Sequence, residues 1–170
     1  FLDIYVTPSM GDWTVARQAA LVHESATNIT VTRCSFRDTG GNSMLVANAV
    51  RDVRVAHSLF NGSGDNAIVV LGDRARTSGS ARTFPTRVVI EHKEIWRAGG
   101  FIKGAAGIAL SICANTTVSD NVIHQMPRAG ITINDGFGGG HVIEHNHVYD
   151  CVLETSDHGP INAWGRERYY

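Results

Sequence analysis

The sequence predicts an all-β fold, a β-solenoid of stacked parallel strands, and two recurring lines of residues carry that prediction. The first line reads apolar, two spacers, small or polar, spacer, apolar, and recurs about every 23 to 28 residues where no insertion intervenes. It appears as Val31-Cys34-Phe36, Val55-Ser58-Phe60, Ile90-Lys93-Ile95, Val118-Asn121-Ile123 and Ile143-Asn146-Val148. The second line is a short alternating strand, seen at Leu45-Ala47, Ile68-Val70, Ile108-Leu110, Ile131-Ile133 and Ile161-Ala163. Neither has helical spacing. A third observation agrees: 18 Gly against 4 Pro suits a chain of many tight turns that need φ > 0.

Strands alternate their side chains, so each repeat sorts into inward and outward columns. The second line places Leu45, Ile68, Ile108, Ile131 and Ile161 inward, followed by Ala47, Val70, Leu110, Ile133 and Ala163. Both columns are apolar, as a dry interior requires. In the first line Cys34, Ser58, Lys93, Asn121 and Asn146 share one turn position. Asn at such a place can bond its neighbours' backbone and build a ladder up the stack, whereas Lys93 is expected to break the ladder and leave the coil.

Three interruptions lengthen the repeat. The polar stretch 72–87, rich in Arg and Ser, reads as a loop leaving the body. The run 135–140 is a glycine-dense turn, and 152–158 lengthens the last connection. The expected organisation is one β-helix domain over 1–170. Both ends read as cut through a repeat, so the chain is expected to be a fragment of a longer coil, with further rungs of the parent chain or a neighbouring subunit as partners.

Charge is nearly balanced, with 15 Lys plus Arg against 16 Asp plus Glu, which argues against a nucleic-acid or anionic-membrane surface. No apolar run approaches the roughly 18 residues of a membrane span. The three cysteines, Cys34, Cys113 and Cys151, have no metal-ligand spacing. They read as three buried thiols, or as one disulfide and one free thiol. Sequons at Asn28, Asn61 and Asn115 exceed the roughly one or two expected by chance and point toward a secreted glycoprotein; Asn, Ser and Thr at solenoid turns would also produce them.

The repeats resemble those of the pectate-lyase-like superfamily, whose members are right-handed parallel β-helices, single-stranded coils with three short sheets. More narrowly, the segment from Arg128 through Ile131-Thr132-Ile133-Asn134-Asp135 to Gly140, and the segment Ser156-Asp157-His158-Gly159-Pro160-Ile161-Asn162-Ala163-Trp164, resemble β-helix proteins related to glycoside hydrolase family 141. The segments Asp12-Trp13-Thr14-Val15 and Arg17-Gln18-Ala19-Ala20 fit the same group. The resemblance implies carbohydrate-active chemistry outside the cell or at its surface, although a fold does not fix a function.

The outward columns offer a separate argument. One runs Val46, Val69, Ala109, Thr132, Asn162, and its neighbour runs Asn48, Leu71, Ser111, Asn134, Trp164. The last two rungs turn polar and carry a Trp, so Thr132, Asn134, Asn162 and Trp164 are expected to form one patch suited to a sugar, with Arg166 beside it. Asp135 follows one of these strands, and Asp157 with His158 precedes the next. Two carboxylates flanking a cleft are the minimum apparatus for glycoside hydrolysis. Asp135 and Asp157 are therefore the expected acid and base, with His158 orienting one of them. Turn formation, a hydrogen-bonded corner and packing against a further rung are the bland readings of Asp135, of Asp157-His158 and of Trp164.

A second constellation places His57, His92 and His145 in one column with Arg33 and Asp120, and Glu91, Glu144 and His147 alongside. Flat columns seldom converge on one point, so the reading is a solvated ladder with no metal and no cofactor. The expected function is hydrolysis of a glycosidic bond in an extracellular polysaccharide. A polysaccharide lyase and a non-catalytic structural or glycan-binding glycoprotein are the alternatives.

Overall fold

A computed structural model describes residues 13, 16–73, 84–134 and 138–164. Among these there is no helix, and every paired strand is parallel. The first sheet orders β1 (Ala19–Glu24), β4 (Asn42–Ala47), β7 (Ile68–Leu71), β10 (Ile108–Ser111), β13 (Ile131–Asn134) and β16 (Ile161–Trp164). The second holds β2 (Thr27–Thr32), β5 (Arg51–Ala56), β8 (Thr86–Glu91), β11 (Ala114–Ser119) and β14 (Val142–Glu144). The third holds β3 (Ser35–Arg37), β6 (Leu59–Asn61), β9 (Glu94–Trp96), β12 (Val122–His124) and β15 (His147–Val148). The chain visits the three sheets in cyclic order, an arrangement consistent with a β-helix. As expected, the strands at Ile108, Ile131 and Ile161 stack in parallel. No described helix is long and apolar enough to cross a membrane.

The corners explain how short strands can turn so sharply. Arg33, His57, His92, Asp120 and His145 all have φ between 48 and 55°, one after each strand of the second sheet. Asp38, Gly62, Arg97, Gln125 and Asp150 form a like column after the third sheet, with φ from 46 to 73°. A single left-handed residue redirects an extended chain, and Asn, Asp and His accept that region more readily than β-branched residues. The histidine column of the sequence is thus a corner column.

The interior is the continuous apolar stack the repeats imply. Ile68, Ile108 and Ile131 are fully buried, and Phe60 stacks on Phe36 with ring centroids 4.7 Å apart. Each such side chain stabilises the stack by about 1.5–3 kcal/mol. The register corrects the first rung, because Met44 pairs with Ile68 and Val46 with Val70. Leu45 and Ala47 therefore face outward, with Val69 and Leu71, and Val46 faces inward. A one-residue slip exchanges faces, and Met44-Leu45-Val46-Ala47 is apolar on both.

Lys93 also departs from expectation. It stays within the stack at 2% exposure, and its Nζ donates to the Glu91 carbonyl at 2.7 Å. Ser58 Oγ makes the same bond to the Ala56 carbonyl and Asn146 Nδ2 to that of Glu144, each at 2.9 Å, so a flexible ammonium fills the place of a shorter polar group. The ladder continues through its backbone, where Lys93 N donates to Asn121 Oδ1 at 3.0 Å.

The insertion is shorter than 72–87. Phe84 packs in a buried cluster with Ile112 and Ala114, and Thr86 and Arg87 open β8. Residues 74–83 lie outside the described part. The three cysteines are free thiols, but only Cys113 is fully buried; Cys151 is half-buried and Cys34 is exposed.

Candidate functional site

The corner leading from the third sheet back to the first carries the most unusual surroundings in the described structure. Gly41, Asp65, Ala105, Arg128 and His158 occupy equivalent places there, each three residues before the first-sheet position equivalent to Met44. Trp13 packs against the late end of this column and is 5% exposed. The Arg128 guanidinium carbon lies 4.4 Å from the Trp13 ring centroid, a cation–π contact, and the His158 ring stacks on the same indole at 5.0 Å and 24°. Nearer the early end, the Ala16 carbonyl accepts from Asn42 Nδ2 at 2.8 Å. Trp13 thus touches the late rungs and Ala16 an early one at this corner.

Asp157 and His158 are coupled locally. The His158 backbone N–H donates to Asp157 Oδ1 at 2.8 Å, and His158 Nε2 lies 3.4 Å from Asp157 Oδ2. His158 has φ +78°, although Gly41, Asp65, Ala105 and Arg128, its equivalents on other turns, have no positive φ. Such a conformation costs of order 1 kcal/mol and persists where the surroundings fix it. Here the Asp157 carboxylate and the Trp13 ring do so. The Asp157 side chain is 71% exposed and faces a depression of about 610 Å³ walled by Arg128, Leu153, Glu154, Thr155, Ser156 and Asp157.

The polar patch forms in register: Thr132 pairs with Asn162, and Asn134 with Trp164. Thr132 and Asn134 are 1% and 3% exposed, Asn162 is half-buried, and Trp164 is 55% exposed. Thr132 Oγ1, both amide atoms of Asn134 and Asn162 Nδ2 are buried and make no hydrogen bond among the described residues. Unmet groups of this kind usually cost about 1–3 kcal/mol each. Asp157 lies before β16 and Asn134 at the end of β13, so a four-residue strand, about 13 Å, separates the carboxylate from that end of the patch. Asp135 and Arg166 lie outside the described residues.

The sequons divide by exposure. Asn28 and Asn115 are exposed, both with left-handed backbone at φ 57 and 49°, and belong to one register column with Asp52 and Arg87. Asn61 is half-buried, and the Ser63 hydroxyl of its sequon is buried 2.6 Å from Ser43 Oγ. In the corner column the His57 and His92 rings lie 4.9 Å apart, and no group of three or more His, Cys, Asp or Glu among the described residues gathers as a metal site.

Trp13 and Arg128 had no assigned role in the columns, because each lies outside the strands that define them. Their signal in the sequence was membership of the two segments Asp12-Trp13 and Arg128-Ala129-Gly130. Compared with known proteins, the chain matches no protein-family model, no curated protein and no solved structure.

Proposed function

We propose that the chain is a right-handed parallel β-helix of the pectate-lyase-like kind that hydrolyses a glycosidic bond in an extracellular polysaccharide. Right-handedness follows the strong preference of crossover connections between parallel strands. The observation that carries the functional reading is the meeting of three sequence-distant segments at one corner: Trp13, Arg128 and the Asp157-His158 pair. The indole and the Asp157 carboxylate together hold His158 at φ +78°, and that carboxylate stays open to the hollow.

In this reading Asp157 is one of the two carboxylates that glycoside hydrolysis uses, His158 orients it, and Asp135 supplies the second. Asn162 bonds sugar hydroxyls and Trp164 takes an apolar sugar face, with Arg166 assigned to the same sugar, while Thr132 and Asn134, at 1% and 3% exposure, lie beneath the surface that meets it. Glycans at Asn28 and Asn115 would leave this corner open, since both belong to the second sheet.

A polysaccharide lyase is the second reading, favoured by Arg128 on the wall of the Asp157 depression, where a guanidinium can neutralise a uronate carboxylate. The test is Asp157→Asn, which keeps Oδ1 as the acceptor for the His158 N–H. Turnover of polysaccharide should fall by at least about a hundredfold, with thermal stability unchanged. Full activity in that variant would refute the assignment of Asp157.

A further inference from the structure

A second hollow lies on the same corner, nearer the early rungs. The connection 97–107 between β9 and β10 is fastened to the preceding turn by backbone hydrogen bonds from Gly99 N to Asp65 O at 2.9 Å, Gly100 N to Ser63 O at 3.0 Å, Phe101 N to Gly64 O at 2.9 Å and Ile102 N to Gly64 O at 3.0 Å. Phe101 on this fastened segment is nevertheless 74% exposed. A Cβ at Gly64 would stand 2.3 Å from the Gly40 carbonyl oxygen and 2.7 Å from Phe101 Cδ2, so only glycine permits this approach. Beside the ring runs a groove of about 410 Å³ whose walls include Asp38, Arg97, Phe101, Lys103, Gln125 and Glu154.

The groove follows the coil axis. Asp38, Arg97 and Gln125 belong to one corner column, on the first, third and fourth turns, and Glu154 belongs to the fifth. Four steps of about 4.8 Å give a length of about 19 Å. Glu154 also walls the Asp157 depression, so the two hollows share this residue, whose carboxylate Lys103 Nζ reaches at 3.0 Å. Opposite charges alternate along the walls, which disfavours a polyanion. A fixed apolar ring beside separate donors and acceptors suits a neutral polyhydroxylated chain, with C–H groups on its faces and hydroxyls at its edges.

We propose that this groove is a second sugar subsite, with Phe101 as the stacking platform, and that a neutral polysaccharide lies along it and leads into the Asp157 site. The inference rests on the carbohydrate reading above. Immobilised xylan, mannan and β-glucan chains, with the disaccharide of each, provide the probes for the wild type, Phe101→Ala and Asp157→Asn. The wild type should hold a long chain more tightly than its disaccharide. Phe101→Ala should lose about tenfold in affinity for the long chain and nothing for the disaccharide, while Asp157→Asn keeps the length dependence. Equal long-chain affinity in Phe101→Ala and the wild type would overturn the subsite alone. Failure of the wild type to retain any of these neutral chains would also overturn the subsite, while the carbohydrate reading is decided separately by the products released from polysaccharide.

Discussion

Replacing Asn121 with Ala tests how the stack is held at its corner. The Asn121 side chain accepts from Lys93 N at 3.0 Å and donates through Nδ2 to the Ile90 carbonyl at 3.1 Å and to Asn146 Oδ1 at 2.8 Å. Truncation removes the side-chain partners of Lys93 N–H and the Ile90 carbonyl, while Asn146 Oδ1 keeps the Asn121 backbone N–H at 3.1 Å. Asn121 is 1% exposed, so water does not replace the lost bonds. At about 1–3 kcal/mol for each of the two orphaned groups, the variant should lose about 2–6 kcal/mol. Urea unfolding should show a lower midpoint at unchanged slope, and hydrogen exchange should show the Lys93 amide losing protection. Asn146→Ala, nearer the last rung and half-buried, should lose less. A loss below about 1 kcal/mol with the Lys93 amide still protected would refute the ladder as a source of stability.

Two buried charges predict opposing pH dependences. Burial pushes the Asp65 carboxyl up to about 7. The folded protein therefore holds that proton more tightly than the unfolded chain, and its contribution is fully present below about pH 4 and lost as pH rises through 7. Asp65→Asn should flatten this fall and gain up to about 4 kcal/mol at pH 8, measured by urea unfolding across pH. Burial also lowers the Lys93 ammonium to about 7, so its contribution is lost as pH falls through 7 and regained toward about pH 10. Lys93→Met should remove that alkaline rise; a rise that persisted would place the titrating group elsewhere. On expression through a eukaryotic secretory pathway, exposed Asn28 and Asn115 should carry glycans seen as a mass loss on enzymatic release, and an unmodified chain would remove the glycoprotein reading.

Much of the architecture was legible because burial writes a period into the sequence. Ile108, Ile131 and Ile161 mark parallel neighbours since an inward column must stay apolar on every turn. The same logic failed at Met44-Leu45-Val46-Ala47, where the outward face is also buried and the alternation carries no sign. It failed at Lys93 because a long side chain can bend back to a carbonyl two residues away. Exposure was the least legible property of the site: residue types identified Thr132 and Asn134 as polar outward positions, yet both are buried, at 1% and 3% exposure. Trp13 illustrates the same limit, because its contacts with Arg128 and His158 cross most of the chain and follow no repeat.

The most direct test of the account is product analysis after incubation with polysaccharides. Hydrolysis at the Asp157 corner predicts new reducing ends that incorporate oxygen from labelled water, without unsaturated sugar absorbing in the ultraviolet. Unsaturated ends lost on Arg128 substitution would establish the lyase chemistry instead. Intact polysaccharide, with retention of the chain on it, would contradict catalysis and leave a glycan-binding protein.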